Sequence, residues 1–460
     1  MTTIPNSPQA RDIAYALHPY TDLSQHQKTG SLVIREGKGV YVYDEVGKSY
    51  IEGLAGLWCT ALGFGEQQLV DRATKAMKTL SYYHQFGAKA HEPGIDLAEK
   101  LIELAPVPMS KAFFTNSGSE ANDTVIKIVW YYNNSIGRPE KKKIIARIKG
   151  YHGVTVASAS LTGLPHVHKH FDLPIANILH TSCPHYYRFG EAGESEEEFS
   201  TRMADELEKQ ILDEGPETVA AFIAEPIMGA GGVLVPPAGY FEKIQAVLKK
   251  YDVLFIADEV ICGFLRTGEY WGSQTFGMKP DIMSMAKALS SAYLPIGAVM
   301  ISEEIFQGLM KGSDDVGMWG HGYTYTGHPV AAAVAHETLK IYEERDIAGH
   351  VARIAPRLQA GMRAYADHPL VGEVRGVGLM GAIELVKNKE TKEPFDPKAG
   401  VGPYCAARVQ EHGAILRAMG DAVGFCPPLV ISAEETDKLL EIFGKALDDT
   451  WKMVQEKGLV

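Results

Sequence analysis

Apolar and polar residues alternate along the chain with two periods that predict different elements. Between residues 67 and 328, short apolar runs rich in β-branched and aromatic residues alternate with longer segments of helical periodicity. The helices predicted there include 120–132 and 240–251. The runs predicted to be strands are KAFFTN, KKKIIARI, TVAAFIAEP, VLFIADEV and AVMIS. This alternation predicts βαβ crossovers and a mostly parallel sheet with helices on both faces, which is an α/β fold.

The two ends of the chain have a different pattern. A hairpin is predicted around 40–51, and a long helix over 330–344 leads into a smaller α+β segment that ends in an amphipathic helix over 433–456. We therefore predict three regions: an N-terminal segment contributing to a small domain (1–66), a large domain (67–328) and a C-terminal small domain (329–460).

Composition restricts the class of protein. A chain of 460 residues with 45% hydrophobic content can bury a large core, and a net charge of −12 argues against nucleic acid as a partner. No apolar run reaches membrane-spanning length, and the N-terminus lacks the apolar region of a signal peptide. The five cysteines are scattered, without C-x-x-C spacing, so we expect no disulfide framework, no metal cluster and a cytoplasmic location.

Two residues indicate a specific chemistry. Asp258 stands where the buried strand VLFIADEV ends, and Lys287 lies downstream among small residues in SMAKALSSAYLPIGA. Desolvation lowers the pKa of a lysine and favours Schiff-base formation, and a carboxylate can hold a proton on a pyridine nitrogen. This pair meets two requirements of pyridoxal phosphate chemistry, although a buried Asp and Lys can also be purely structural.

Three further segments carry suitable side chains. Ser117, Gly118 and Ser119 precede a predicted helix, where free N–H groups and hydroxyls could bind a phosphate or could simply cap the helix. Tyr151, after a strand, could stack on a flat ring or pack in the core. The Thr324 hydroxyl, in a glycine-flanked loop, could reach a phosphate or form a local turn bond.

Two other motifs are better explained without a ligand. A G-x-G-x-x-G pattern occurs at 376–381, but a strand follows the glycines where a dinucleotide site needs a helix. His166, His168 and His170 would share a face if extended, yet no acidic or cysteine partner stands nearby, and surface histidines explain them better than a metal. We therefore predict no metal site.

The chain resembles the class III aminotransferases. Six motifs stand in the order seen in that family: NSGSEAND, GYHG, AEPIMGAGG, ADEVICGFLRTG, KALSSAYLPIGAV and YTYTGHP. The similarity is greatest to the amine:pyruvate branch, the ω-transaminases. It implies the type I pyridoxal phosphate fold, with a large domain around a seven-stranded mostly parallel sheet and a smaller α+β domain. It also implies a homodimer with shared sites, and leaves a tetramer open.

The resemblance also implies roles for individual residues. Lys287 and Asp258 would be catalytic, Tyr151 and Val260 would enclose the cofactor ring, and Thr324 would come from the neighbouring subunit. The residues expected to bind the cofactor are Ser117, Gly118, Ser119, Tyr151, His152, Glu225, Asp258, Val260, Lys287 and Thr324.

Substrate specificity depends on other positions. Ala230 stands where ornithine- and GABA-type members carry a glutamate that pairs with an arginine, which argues against those two assignments. Arg417 matches the mobile arginine of amine:pyruvate enzymes. The residues expected to bind substrate are Tyr20, Leu57, Trp58, Phe86, Tyr151, Ala230 and Arg417.

We therefore expect a pyridoxal phosphate-dependent aminotransferase that moves an amino group from a primary amine or ω-amino acid to pyruvate by a ping-pong mechanism. Its partners would be small molecules, with neither nucleic acid nor membrane involved. An aminomutase of the glutamate-semialdehyde type shares Lys287 and Asp258 and remains an alternative. A coenzyme-binding protein without catalysis is a second alternative, which the intact pair disfavours.

Overall fold

The computed structural model describes residues 6–460, so the first five residues of the predicted segment 1–66 lie outside the described range. The helices, in chain order, are α1 (Pro8–Tyr15), α2 (Leu23–Thr29), α3 (Ala55–Trp58), α4 (Gln67–Thr79), α5 (Glu92–Glu103), α6 (Gly118–Ser135), α7 (Val156–Leu161), α8 (Pro165–His168), α9 (Tyr186–Phe189), α10 (Glu196–Glu214), α11 (Tyr240–Lys250), α12 (Gly272–Thr275), α13 (Glu303–Val316), α14 (Pro329–Glu344), α15 (Ile347–Arg363), α16 (Val401–His412) and α17 (Ala433–Glu456).

The strands belong to three sheets. In chain order they are β1 (Ile34–Lys38), β2 (Tyr41–Asp44), β3 (Ser49–Glu52), β4 (Lys111–Thr115), β5 (Lys143–Arg147), β6 (Ile178–Thr181), β7 (Val219–Ala224), β8 (Leu254–Asp258), β9 (Ile282–Met285), β10 (Gly297–Ile301), β11 (Val371–Val377), β12 (Met380–Leu385), β13 (Ala414–Ile415), β14 (Arg417–Met419) and β15 (Ala422–Phe425).

The largest sheet has seven strands in the order β4-β10-β9-β8-β7-β5-β6. Strand β10 pairs antiparallel with both β4 and β9, and the other pairings are parallel. The predicted α/β fold with a mostly parallel seven-stranded sheet is therefore confirmed. All five apolar runs read as strands from the sequence lie in this sheet, as β4, β5, β7, β8 and β10.

Strand β7 explains why these runs are continuously apolar. All six of its residues are buried, because helices cover the sheet on both sides. Phe222 packs into the larger core cluster and the next residue, Ile223, packs into a second cluster with residues of α6. Successive side chains of a strand point to opposite faces, so one strand contributes to both cores.

The two smaller sheets join distant parts of the chain. The order β1-β2-β3-β13 contains the predicted N-terminal hairpin, and β13 pairs parallel with β3. The order β11-β12-β15-β14 contains the G-x-G-x-x-G segment. Gly378 lies between β11 and β12 with φ of 61°, so this motif forms a hairpin turn rather than the start of a helix. The boundaries at 66 and 328 stay a prediction.

Three smaller expectations concern the histidines at 166–170, the cysteines and membrane-spanning helices. The histidines at 166–170 are not extended, because α8 includes His166 and His168. All five cysteines are free thiols. No helix within residues 6–460 combines the length and the apolar character needed to cross a membrane.

A buried arginine connects the β11-β12 hairpin to the large sheet. Arg375 donates to the carboxylates of Glu373 and Glu384, and its Nη2 and Nε donate to the carbonyl of Gly232, in the loop after β7, at 2.7 and 3.0 Å. Both carboxylates are at most partly exposed, and Arg375 is the cation that they share, although Arg188 also pairs with Glu384.

Arg375→Met is therefore expected to lower the free energy of unfolding by about 3–5 kcal/mol, because it leaves two largely buried carboxylates without their shared cation. Arg353→Met is the matched control, since its pairing with Asp346 is exposed and spans 3.9 Å. We expect the control to cost less than about 1 kcal/mol. Urea unfolding of both variants checks this, and equal losses would contradict the assigned role of Arg375.

Candidate functional site

Five parallel strands of the large sheet, β4, β5, β7, β8 and β9, end at one edge. The residues that follow or end them are Ser117, Tyr151, Glu225, Asp258 and Lys287. Ligands of open α/β sheets bind at the carboxyl ends of the strands. The topology therefore brings side chains separated by up to 170 positions in sequence to one place.

A cavity of about 110 Å³ lies at this edge. Eight of the eleven residues that line it were predicted to bind the cofactor. The lining residues are Gly118, Ser119, Asn122, Tyr151, His152, Gly153, Glu225, Asp258, Val260, Ile261 and Lys287. Both predicted catalytic residues, Lys287 and Asp258, are among them.

The Asp258 carboxylate is held by groups from three segments. Its Oδ2 accepts a hydrogen bond from Asn122 Nδ2 at 2.8 Å and lies 2.8 Å from His152 Nδ1. Its Oδ1 accepts the backbone N–H of Val260 at 3.1 Å. A carboxylate has about four acceptor positions, so one position on Oδ1 is left for a further donor. Asp258 is buried, and its orientation is set before any ligand binds.

Lys287 lies just after β9 and has an unusual backbone conformation. Its φ is 50°, in the left-handed region that residues other than glycine seldom adopt. Burial lowers the pKa of the Lys287 amine below its ordinary value, and the nearby Asp258 carboxylate opposes that shift. The net effect favours the neutral, nucleophilic amine.

Ser117 is the N-cap of α6. Its Oγ accepts the backbone N–H of Glu120 at 3.2 Å, and the Glu120 carboxylate in turn accepts the backbone and side-chain N–H groups of Asn116. Ser117 is absent from the cavity lining formed by the described residues. The structure therefore gives Ser117 a capping contact, and its expected contact with a phosphate stays a prediction.

Gly118 and Ser119 lie at the positive end of the α6 dipole and face the cavity. A Cβ built on Gly118 would lie 2.9 Å from Val260 Cγ1, so the absence of a side chain there keeps the space open. Ser119 Oγ accepts the backbone N–H of Val154 at 3.1 Å and retains its own O–H for donation.

This donor set fits pyridoxal phosphate. The helix N-terminus with Ser119 suits an anionic phosphate, and the open acceptor position of Asp258 suits a protonated ring nitrogen. Tyr151 and Val260 line the same cavity and offer flat and apolar surfaces for a ring. Lys287 supplies the amine.

Glu225 positions the neighbouring loops. Its Oε1 accepts the backbone N–H of Tyr151 at 2.9 Å and its Oε2 accepts that of Gly229 at 3.0 Å. Arg147 Nη2 donates to the carbonyl oxygen of Glu225 at 2.6 Å. Burial raises the pKa of the Glu225 carboxyl. Although Glu225 lines the cavity, its carboxylate oxygens accept hydrogen bonds from the backbone of Tyr151 and Gly229, so its contacts in the structure are structural.

Two predicted substrate residues approach Tyr151. The Tyr151 phenol has a raised pKa, mainly because of burial and next because of the Tyr20 hydroxyl beside it. The positive charge of Arg417, at the start of β14, is close enough to oppose that shift. Tyr20 is 56% exposed and Arg417 is half-buried, so both side chains have room to move.

Other predicted substrate residues surround the same region less directly. Trp58 is buried, with Cη2 3.5 Å from the position that a Cβ on Gly424 of β15 would take. Leu57, its neighbour, is 51% exposed. Ala230 lies in the loop after β7 and is half-buried, but it is not in the cavity lining formed by residues 6–460.

Phe86 and Thr324 lie elsewhere on the chain. Phe86 lines a separate cavity of about 610 Å³ with Gly322. Thr324 is exposed, and its carbonyl accepts the Tyr82 hydroxyl at 2.7 Å. The described part of the chain does not bring either residue to the Lys287 cavity. The expectation that Thr324 serves a neighbouring subunit stays a prediction.

Asn122, Gly153 and Ile261 line the cavity without having been predicted. Asn122 Nδ2 donates to both the His152 carbonyl and Asp258, at 2.7 and 2.8 Å. It stands four residues after Gly118 in the NSGSEAND motif, one helical turn on. That spacing places both residues on one face of α6 and could have identified Asn122.

Comparison with known proteins gives consistent matches. A family model described as "Aminotransferase class-III" matches residues 23–447. The chain is 55% identical over 441 residues to gamma aminobutyrate transaminase 1, mitochondrial, of Solanum lycopersicum, covering 96% of this chain and 86% of that protein. It is 54% identical over 426 residues to vanillin aminotransferase of Capsicum annuum, covering 92% and 93%.

A solved structure extends the similarity to three dimensions. The crystal structure of the ω-transaminase from Pseudomonas jessenii in complex with PMP has 58% sequence identity and a TM-score of 0.97. The match covers 98% of this chain and 99% of that one. The similarity therefore includes the two smaller sheets as well as the cavity.

Gly118→Ala is expected to weaken retention of pyridoxal phosphate by about 5–150-fold, because a methyl group forced against a packed neighbour costs about 1–3 kcal/mol. The reason is the 2.9 Å approach of its Cβ to Val260. Cofactor titration followed by absorbance measures the dissociation constant. An unchanged far-UV circular dichroism spectrum of the cofactor-free protein serves as the folding control, and unchanged affinity would contradict the assigned role of Gly118.

Proposed function

Because the chain belongs to the class III aminotransferases, which depend on pyridoxal phosphate, we propose that it moves an amino group from a primary amine or ω-amino acid to pyruvate. The observation that carries the proposal is the cavity that contains both Lys287 and Asp258, with Arg417 close enough for its charge to act on Tyr151. Lys287 and Asp258 carry out chemistry that is common to aminotransferases of this type. Arg417 is the residue from which we infer the acceptor.

When bound, pyridoxal phosphate supplies an aldehyde that holds the nitrogen of the substrate and a ring that withdraws electrons from the substrate carbon. Lys287 Nζ would then accept the proton that leaves the substrate carbon and donate it to the carbon on the other side of the substrate nitrogen. Burial favours the neutral form of this amine, which is the form that can accept a proton.

Asp258 would keep the ring nitrogen protonated through its remaining acceptor position. Asn122, His152 and Val260 already fix the carboxylate, so little reorganisation is needed when charge develops on the ring. Gly118 and Ser119 would hold the phosphate, and Tyr151 with Val260 would enclose the ring.

Arg417 supports pyruvate as acceptor. A site that admits first a neutral or cationic amine and then an anionic keto acid needs a positive charge that can approach and withdraw. Arg417 is half-buried and on β14, outside the large sheet. Its guanidinium offers the two-pronged donor geometry that a carboxylate prefers. Ala230 cannot form the alternative ion pair with an arginine, because its side chain is a methyl group.

The relatives bear on the donor. Two kinds of named relative, a gamma aminobutyrate transaminase and a vanillin aminotransferase, are of nearly equal identity to this chain. γ-Aminobutyrate is an ω-amino acid and falls within the proposed donor class, so these relatives do not support the expectation, drawn from Ala230, that argued against a GABA-type assignment. The aminomutase alternative is not favoured, since the matched relatives are transaminases. We further propose a cytoplasmic homodimer in which the exposed Thr324 completes the partner's site.

The proposal is tested with purified holoenzyme and a panel of donors: γ-aminobutyrate, β-alanine, putrescine, taurine and an arylalkylamine. Alanine formation from pyruvate is measured, with 2-oxoglutarate as the competing acceptor and Lys287→Ala as the inactive blank. We expect turnover only when pyruvate is added. Turnover of a single substrate without any keto acid would instead identify an aminomutase.

Asp258→Asn is expected to slow the amine half-reaction by about tenfold or more. A neutral amide cannot hold the positive charge on the ring nitrogen, and a hydrogen bond to a charged group contributes about 1.5–3 kcal/mol. Asp281→Asn is the matched control, because Asp281 accepts the backbone N–H of Phe255 beyond the opposite end of the sheet. Stopped-flow absorbance checks both variants, and equal rates would remove Asp258 from its assigned role.

Arg417→Ala is expected to separate the two half-reactions. The pyruvate half-reaction should lose about 2–5 kcal/mol, the usual cost of removing one partner of a buried charge pair. With a donor that lacks a carboxylate, such as putrescine or an arylalkylamine, the amine half-reaction should stay within a few-fold of the parent, because that substrate has no anionic group for the arginine to bind. Arg408→Ala, which breaks a pairing with Asp449 on α17, should change neither. Equal losses in both half-reactions of Arg417→Ala would argue against a selective role.

A further inference from the structure

The N-terminal arm, residues 8–31, is held by polar contacts more than by a core. Helix α1 buries no residue, and α2 buries only His26. Between these helices the arm carries Tyr20, which lies beside Tyr151 at the cofactor cavity. Something other than apolar packing must therefore fix the position of this arm.

A compact cluster in the arm provides that contact. Asp12 Oδ1 lies 2.8 Å from His18 Nε2, and Asp12 Oδ2 lies 3.1 Å from His26 Nε2. Ser31 Oγ donates to the same carboxylate and is 3.0 Å from His26 Nε2. One potential ligand atom from each of Asp12, His18 and His26 lies within 4.8 Å of the other two.

These distances suit a tetrahedral transition-metal ion. Zinc binds imidazole nitrogen and carboxylate oxygen at about 2.0–2.2 Å, which places neighbouring ligand atoms about 3.3 Å apart. The observed separations of 2.8 and 3.1 Å need to open by only a few tenths of an ångström. The donor types, two imidazoles and one carboxylate, are those that zinc prefers.

A second cluster of potential metal ligands differs from the Asp12 cluster in how its carboxylates are neutralised. His185, Glu373 and Glu384 also bring three potential ligands together, but Arg375 and Arg188 already neutralise the carboxylates. Within residues 6–460, Asp12 forms no ion pair with a lysine or arginine. The partners of Asp12 are His18, His26 and Ser31. Each histidine can coordinate a metal through Nε2 once that nitrogen has lost its hydrogen.

We propose that Asp12, His18 and His26 form a binding site for a divalent transition metal of the zinc class, with Ser31 Oγ at the fourth position. The ion would fasten α1 to α2 and thereby hold Tyr20 over the cavity. The side chain of His18 is 32% exposed and that of His26 is 5% exposed, so the ion would enter past His18.

The site is tested by metal binding to the holoenzyme after treatment with a chelator. Equilibrium dialysis against Zn²⁺, with metal analysis, is expected to give one ion per chain. Substitution with Co²⁺ should give the visible absorption of a tetrahedral site. His18→Asn should weaken binding by more than about 100-fold, since loss of an outer partner alone costs 10–100-fold.

His18→Asn is preferred because its side chain is partly exposed, and Asp12→Asn gives a second, independent variant. His170→Asn is the control: His170 is exposed, outside the cluster, and has φ of 67°, which asparagine tolerates. Zinc should raise the melting temperature of the parent and the control but not of the two cluster variants.

Three results would overturn the proposal: less than one tight zinc ion per chain, equal binding by His18→Asn and the parent, or an octahedral cobalt spectrum. Because these readouts measure binding, they are independent of the reaction proposed above. Loss of transaminase activity with intact zinc binding would count against that reaction only.

Discussion

The structure of the site depends on the hydrogen-bonded carboxylate of Asp258. This side chain ends β8 and receives hydrogen bonds from α6, from the loop after β5 and from its own following turn. Each of these segments is also part of the cavity wall. A buried carboxylate without such donors would cost several kcal/mol, so the surrounding segments are fixed in position by the need to satisfy it.

The cavity has a floor fixed by the large sheet, and more exposed side chains approach it from other parts of the chain. The floor is formed by strand ends and by loops bonded through Glu225, both of which rest on a sheet buried on two faces. Arg417 and Tyr20 come from outside the large sheet and are more exposed. The chemical steps that are common to all substrates need the fixed strand ends and loops. Binding of different substrates needs side chains such as Arg417 and Tyr20 that can adjust.

Three residues at or near this site have a strained backbone. Tyr20, Trp58 and Lys287 all have positive φ, at 49°, 66° and 50°, although none is glycine, asparagine or aspartate. Such conformations cost on the order of 1–3 kcal/mol each and persist only where the surroundings hold them. The buried packing of Trp58 and the constrained ends of β9 and β10 around Lys287 provide that support.

Several features could be read from the sequence alone. Continuous apolar runs predicted the strands of the large sheet because both of its faces are covered, and the lone lysine and strand-end aspartate identified the chemistry. The phosphate segment was predicted because a glycine and hydroxyls at a helix start have a defined electrostatic effect. These are local properties, which depend on residues close together in the chain.

Other features depended on contacts between distant segments. The sequence did not indicate that Asn122 would donate to Asp258 or that Glu225 would support the backbone of Tyr151, and it left open whether Ser117 caps the helix or binds a phosphate. It also placed Phe86 in one site with Lys287, from which Phe86 is separated within a single chain, whereas the contribution of Thr324 from a neighbouring subunit stays a prediction. The order of the strands in the sheet decides which side chains become hydrogen-bond partners and which line the cavity. The pattern of apolar residues predicts that strands form, but it does not specify that order.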